Sequence, residues 1–236
     1  MDKVIDQLVD KLRNAYGERL VSVVLYGSAV AGDRDEGFSD YNILCVLSEI
    51  TPRELAAGTA IFRWWREKGN PSPLLLTARE VAASTDCFAI EFRDIQRHHR
   101  ILHGADVVSG LVVEDVFYRA QVEHDLRAKL LRLRQKAASA LSDTDMLCRL
   151  LADSISTFCV LFRHALALHG VETSPQKREV IRAAAERFGI DPAPFAALLD
   201  VRERVTKPRD IKPVELLASV LNQVERVIDA VDVLAK

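Results

Sequence analysis

The chain is poor in the features that mark a specialised class. Its 236 residues hold only 4 cysteines, Cys45, Cys87, Cys148 and Cys159, with no CxxC pair and no histidine at zinc-like spacing. This excludes a disulfide framework and a structural zinc module. The four thiols read as small buried apolar residues in a reducing compartment. An excess of one charge is also missing: 32 Lys and Arg face 34 Asp and Glu, a net charge of −2. That balance lacks the basic surplus of a nucleic-acid coat and disfavours long polynucleotides as partners. No apolar run approaches the roughly 20 residues that span a bilayer. The N-terminal Met1-Asp2-Lys3-Val4 opens an amphipathic stretch without signal-peptide architecture. A cytoplasmic location without membrane contact is expected. Internal repeats, low-complexity segments and long single-sign blocks are absent too. What is present is an ordinary globular mixture, 49% apolar and 28% charged, enough for one or two domains with a sizeable core.

The apolar rhythm divides the chain. Residues 2–16 repeat Val4, Ile5, Leu8, Val9 and Leu12 at helical spacing, ending near Gly17. Leu20 to Tyr26 is short, β-branched and apolar, as a buried strand is, and Tyr41 to Leu47 forms a second strand. Thr51-Pro52-Arg53-Glu54 predicts a capping box opening a helix that stops at Gly69-Asn70-Pro71. Leu74 to Leu76 predicts a third strand, Thr77-Ala78-Arg79-Glu80 another helix start, and Phe88 to Phe92 a fourth strand. From Asp115 onward only helical patterns occur: 115–141, 145–169, one from Ser174-Pro175 to Gly189, one from Asp191-Pro192, and 213–234. The expected architecture is α+β: a mixed-sheet domain at 1–110, a linker within 105–114, and an antiparallel helical bundle at 111–236. The apolar last helix fits packing within the chain or across a homodimer.

Chemistry concentrates between Gly27 and Asn42. A strand feeding Gly27-Ser28 at a helix start converges backbone N–H groups, and Ser28 adds a hydroxyl donor, a ready anion site. Twelve residues after Ser28 comes Asp40, and alternation along the strand puts Asp40 and Asn42 on one face with Tyr41 pointing away. Asp33, Asp35 and Glu36 in the intervening loop read as solvated residues.

An apolar strand, Gly-Ser, about a dozen residues and then Asp-x-acid resembles the nucleotidyltransferase superfamily that includes DNA polymerase β. Within it the chain looks most like bacterial minimal and aminoglycoside nucleotidyltransferases, in which a helical bundle follows the catalytic domain. The resemblance covers residues 20–47 specifically and 74–104 loosely. It implies a polymerase-β-like fold and Mg2+-dependent transfer of a nucleoside monophosphate from a nucleoside triphosphate to a hydroxyl acceptor, with pyrophosphate leaving. Gly27 and Ser28 would grip phosphate, and Asp40 would hold magnesium. A third acid on a later strand, best matched by Glu91, would complete the metal site and take the proton. Asp94 is the runner-up, and Ile101-Leu102-His103-Gly104 resembles the family's closing segment. The second acid is missing, because Asn42 occupies its position. A neutral carbonyl supports two-metal chemistry poorly. The leading alternative is therefore a catalytically degenerate fold that binds nucleotide or a partner.

Three further features carry blander readings. Glu91 in an apolar run would be an expensive buried carboxylate unless bridged to Arg93 or Arg97. The stripe Arg127, Lys129, Arg132, Arg134 and Lys136 reads as a solvated helix face. Arg163 followed by His164 and His169 resembles the motif of HEPN-type helical ribonucleases, which gives a third alternative, a toxin–antitoxin-type module. Arg97 to His103 meets the same spacing by chance.

Overall fold

The computed structural model describes residues 3–31 and 41–234, and the chain divides into two compact units, Met1–Glu114 and Asp115–Lys236. In the first unit α1 (Lys3–Tyr16) leads through a 3-10 turn at Gly17–Arg19 into β1 (Leu20–Tyr26) and a single turn, α2 (Ser28–Ala31). Then come β2 (Asn42–Leu47), α3 (Pro52–Glu67), β3 (Leu74–Thr77), α4 (Ala78–Ala83), α5 (Ala89–Arg97) and β4 (His99–Gly104). The sheet order is β3-β2-β1-β4. β1 runs antiparallel to both neighbours, while β2 and β3 are parallel. It is a mixed sheet, as expected.

One face of that sheet builds the core. Val23, Leu25, Ile43, Cys45 and Leu47 point to one side by alternation and join Ile5, Leu8 and Leu12 of α1 with Ile61 and Trp65 of α3 in one buried cluster. Both predicted capping boxes form: the Thr51 and Thr77 side chains accept from backbone N–H groups, and Glu54 and Glu80 reach back. Glu54 is fully buried. Its hydrogen bond from the Thr51 hydroxyl lowers its pKa, and Arg19 stands 3.5 Å away.

The fourth strand differs from expectation. Residues 88–92 are not extended; α5 runs through them to Arg97, burying Ala89, Ile90, Phe92 and Ile95. A five-residue run cannot separate periods of 2 and 3.6, and the three-residue spacing of Ala89, Phe92 and Ile95 decides for the helix. The fourth strand is instead β4, which contains the Ile101-Leu102-His103-Gly104 segment. Gly104 sits at φ +78°, and a Cβ there would stand 2.0 Å from the Val21 carbonyl oxygen, so only glycine fits beside β1. One thiol also departs from its reading, for Cys87 is exposed while Cys45, Cys148 and Cys159 are buried.

The second unit is helical throughout: α6 (Asp115–Ala140), α7 (Thr144–Leu168), α8 (Lys177–Phe188), α9 (Ala193–Arg202), a 3-10 turn at Pro208–Asp210, and α10 (Pro213–Asp232). α7 is apolar over most of its circumference and touches α6, α8, α9 and α10, as the central member of a bundle must. Phe162 stacks edge-on to Phe195 at 5.4 Å. Asp143 caps α7 by accepting from the Met146 N–H, and Gly189 ends α8 in the left-handed conformation. The basic stripe of α6 is partly neutralised, since Arg127 reaches Glu123 and Asp232, and Arg134 reaches Glu225. No helix among the described residues is long and apolar enough to cross a membrane.

Candidate functional site

β1 ends on Tyr26, and the chain turns sharply at Gly27, where φ is +83°. The Gly27 N–H donates to the His98 carbonyl at 3.0 Å, which ties the turn to the start of β4, and its own carbonyl accepts from the Val30 N–H. α2 is a single turn, so its dipole is small. Any affinity for phosphate must come from the converging N–H groups themselves.

Strand pairing assembles a row beside this turn. Tyr26 is the register partner of Asn42 on β2 and of His99 on β4, and directly opposed residues point to the same face. The Asn42 side chain lies against the turn: its Nδ2 is 3.2 Å from the position a Gly27 Cβ would take. Tyr26 carries the electrostatic mark of the site. Burial pushes its phenol pKa up to about 12, and the carboxylates of Glu91 and Asp94 add to the shift. Glu91 and Asp94 are three residues apart on α5, hence neighbours on one helix surface. Expected out of phase on a strand, they instead lie together within electrostatic reach of the residue before Gly27. Glu91 is also exposed rather than buried in an apolar strand, which removes the desolvation cost that made it conspicuous in sequence.

The donor set is narrower than the resemblance implied. β3, the later strand beside β2, reads Leu74-Leu75-Leu76-Thr77 and carries no carboxylate. Among the described residues no group of three or more His, Cys, Asp and Glu is arranged to hold a metal ion. Asp40 lies outside the described residues. The start of β2 just after it is firmly held: the Tyr41 N–H donates to the buried Asn70 Oδ1 at 3.0 Å. In sequence Asn70 reads only as part of a helix stop. Tyr26 was equally silent there, although its place directly before Gly27 was a usable signal.

A loop closes the far end of the row. His99 presents Nδ1 to the Gln96 carbonyl and Nε2 to Ser109 Oγ, each at 3.3 Å. The Ser109 hydroxyl donates to Asp106 at 2.6 Å. That bond and the N–H groups of Ser109 and Val108 hold the Asp106 pKa down to about 2. The two histidines of the ribonuclease-like motif, in contrast, are hydrogen-bonded within the helical unit. His164 is buried with its Nδ1 2.8 Å from the Tyr118 hydroxyl. His169 donates from Nε2 to the Ala230 carbonyl at 3.1 Å and accepts at Nδ1 from Arg187 at 2.9 Å. Burial, then Arg187, lowers its pKa.

A solved structure of spectinomycin adenyltransferase AAD(9) from Enterococcus faecialis, with ATP and spectinomycin, matches this chain with a TM-score of 0.60. The match covers 98% of each chain at 15% sequence identity. The chain has the nucleotidyltransferase fold. No family model and no curated protein matches the sequence, so at this identity the likeness speaks for the fold alone. The Gly27 turn falls at the end of β1 with the Asn42 amide against it, and Glu91 and Asp94 lie within electrostatic reach of Tyr26.

Proposed function

We propose that the chain transfers a nucleoside monophosphate from a nucleoside triphosphate to a hydroxyl acceptor. The observation that carries this reading is the Gly27 turn, at φ +83° with the Asn42 amide against it and Tyr26 reporting two carboxylates close by. The match to a structure holding ATP supports the same choice of donor. In this reading the N–H groups of Gly27 and Ser28 bind the phosphates, and the Asn42 Nδ2 adds a neutral donor beside them. Glu91, on the exposed first turn of α5, takes the acceptor's proton, with Asp94 one turn away as a second carboxylate. Both carboxylates are hard oxygen donors of the kind magnesium prefers, and Asp40 supplies the remaining one. Bound there, Mg2+ would neutralise charge developing on the triphosphate.

A second reading is favoured by one observation. β3 carries no acid and Asn42 replaces another, so the described residues offer fewer anionic ligands than two-metal transfer uses. A degenerate domain that binds nucleotide without turnover meets those facts as well. Pyrophosphate release from each of the four ribonucleoside triphosphates, with a panel of hydroxyl acceptors, separates the two. Transfer predicts metal-dependent release that Glu91→Gln lowers by about 100-fold or more, the usual contribution of a general base. Nucleotide binding that is equal with and without metal, with no pyrophosphate, selects the degenerate reading.

A further inference from the structure

The N-terminal end of β2 lies where both of its ladders stop. Its last pair with β1 is Asn42 opposite Tyr26, the residue on which β1 ends, and its pairing with β3 begins only at Leu44 opposite Leu74. A chain end without ladder partners opens at little free-energy cost. Yet Asn42 is the residue whose amide lies against the Gly27 turn. Its placement calls for an anchor outside the sheet.

The end of α3 supplies that anchor. Ile61 and the fully buried Trp65 fix α3 in the core. Past the helix, the Gly69 N–H donates to the Arg66 carbonyl at 2.9 Å and the Asn70 N–H to the Trp65 carbonyl at 3.4 Å. Pro71 follows, which biases Asn70 toward extended backbone. The Asn70 Oδ1 then accepts from the Tyr41 N–H at 3.0 Å, a buried bond between residues 29 apart in sequence. The Tyr41 ring packs on Trp65, with centroids 6.1 Å apart. Backbone and ring of Tyr41 are thus held by neighbouring residues of one rigid element. Successive strand residues point to opposite faces. Tyr41 joins the core cluster, so Asn42 is sent to the face of its partner Tyr26, and a slip of one residue would exchange the two.

We infer that Asn70 is a positioning residue: through the Tyr41 amide it sets the place of the Asn42 side chain beside the Gly27 turn, and with it the phosphates held there. The catalytic consequence rests on the transfer reading, whereas the placement of Asn42 is read without nucleotide. In the intact wild-type chain the Tyr41 amide exchanges slowly with deuterium although it lies beyond the ladder, and fast exchange would overturn the assignment before any variant is made. Asn70→Ala speeds that exchange by about tenfold, the scale of one buried hydrogen bond, and moves the Asn42 side-chain NH2 resonances, while the amides of Cys45 and Val46 keep their rates. Asn70→Asp retains an oxygen acceptor and restores both signals; Asn70→Ser, a smaller change, replaces the alanine variant if that one does not fold. In pyrophosphate release from ATP and magnesium, Asn70→Ala lowers kcat by about tenfold or more and leaves KM for ATP within about threefold, because misplacement of a group by an ångström is felt in the transition state. Asn70→Asp recovers most of kcat. Ile61→Val thins the same core without removing the Tyr41 hydrogen bond, so it lowers the melting midpoint and leaves kcat unchanged. Absence of pyrophosphate from the wild-type chain defeats the transfer reading, and the exchange rates and Asn42 resonances then decide the positioning by themselves. Unmoved Asn42 resonances in Asn70→Ala, an unchanged kcat in an active chain, or an equal loss of kcat in Ile61→Val would each overturn the assignment.

Discussion

Gly27→Ala is the perturbation on which the turn can be weighed. A non-glycine residue in the left-handed region costs roughly 1–2 kcal/mol, and Gly27 sits there at φ +83°. The new Cβ also meets the Asn42 Nδ2 at 3.2 Å, so that amide must yield by a few tenths of an ångström. An amide pushed off its rotamer adds about 0.5–1.5 kcal/mol. Chemical denaturation followed by circular dichroism should therefore show a loss of about 1.5–3.5 kcal/mol. In a unit of this size that is a fall of the melting midpoint by roughly 6–28 °C, at roughly 4–8 °C per kcal/mol. The double variant Gly27→Ala/Asn42→Ala separates the parts: removing the amide relieves the crowding and leaves the backbone strain, a coupling of about 0.5–1.5 kcal/mol between the sites. Unchanged stability in the single variant would refute the left-handed turn, and strictly additive variants would refute the contact with Asn42.

Three other outcomes follow from the same geometry. Asn42→Asp places a carboxylate against the turn and should tighten magnesium binding by about tenfold, as added ligand charge does, with equal or greater turnover; isothermal titration with the metal alone reads the first, and weaker binding would give Asn42 a specific role of its own. Asp106 has its pKa lowered from 3.8 to about 2, so its stabilisation is complete above pH 3.8 and is lost as pH falls toward 2. Asp106→Asn should flatten that segment of the stability-versus-pH curve, and an unchanged slope would contradict the hydrogen bonds from Ser109 and Val108. His169 has its pKa lowered from 6.5, so the unfolded chain binds the proton first and stability declines as pH falls below 6.5. His169→Gln should remove that decline, and NMR titration of the ring should give a midpoint below 6.5.

How much of this was legible beforehand depends on where the information resides. β1, β2 and the two capping boxes are written in runs of neighbouring residues, where composition and spacing suffice. The nucleotidyltransferase fold followed from Gly27-Ser28 and its distance to Asp40. α5 was misread because Phe88 to Phe92 is too short to show a period, and the deciding residue, Ile95, lies beyond it. That error carried Glu91 into a buried strand and put Asp94 out of phase with it, whereas a helix brings the two side by side. Tyr26 and Asn70 act through partners far along the chain, Asn42 and His99 in one case and Tyr41 in the other. Pairing of that kind is set by sheet register and has no local signal.

The central claim is that the Gly27 turn holds the phosphates of a nucleotide. A crystal structure of the chain with a non-hydrolysable ATP analogue and magnesium tests it most directly. The account predicts phosphate oxygens within hydrogen-bonding distance of the Gly27 and Ser28 N–H groups, with Asn42 and Glu91 on the same side of the ligand. An analogue bound elsewhere, with the turn and its Asn42 contact untouched, would contradict it.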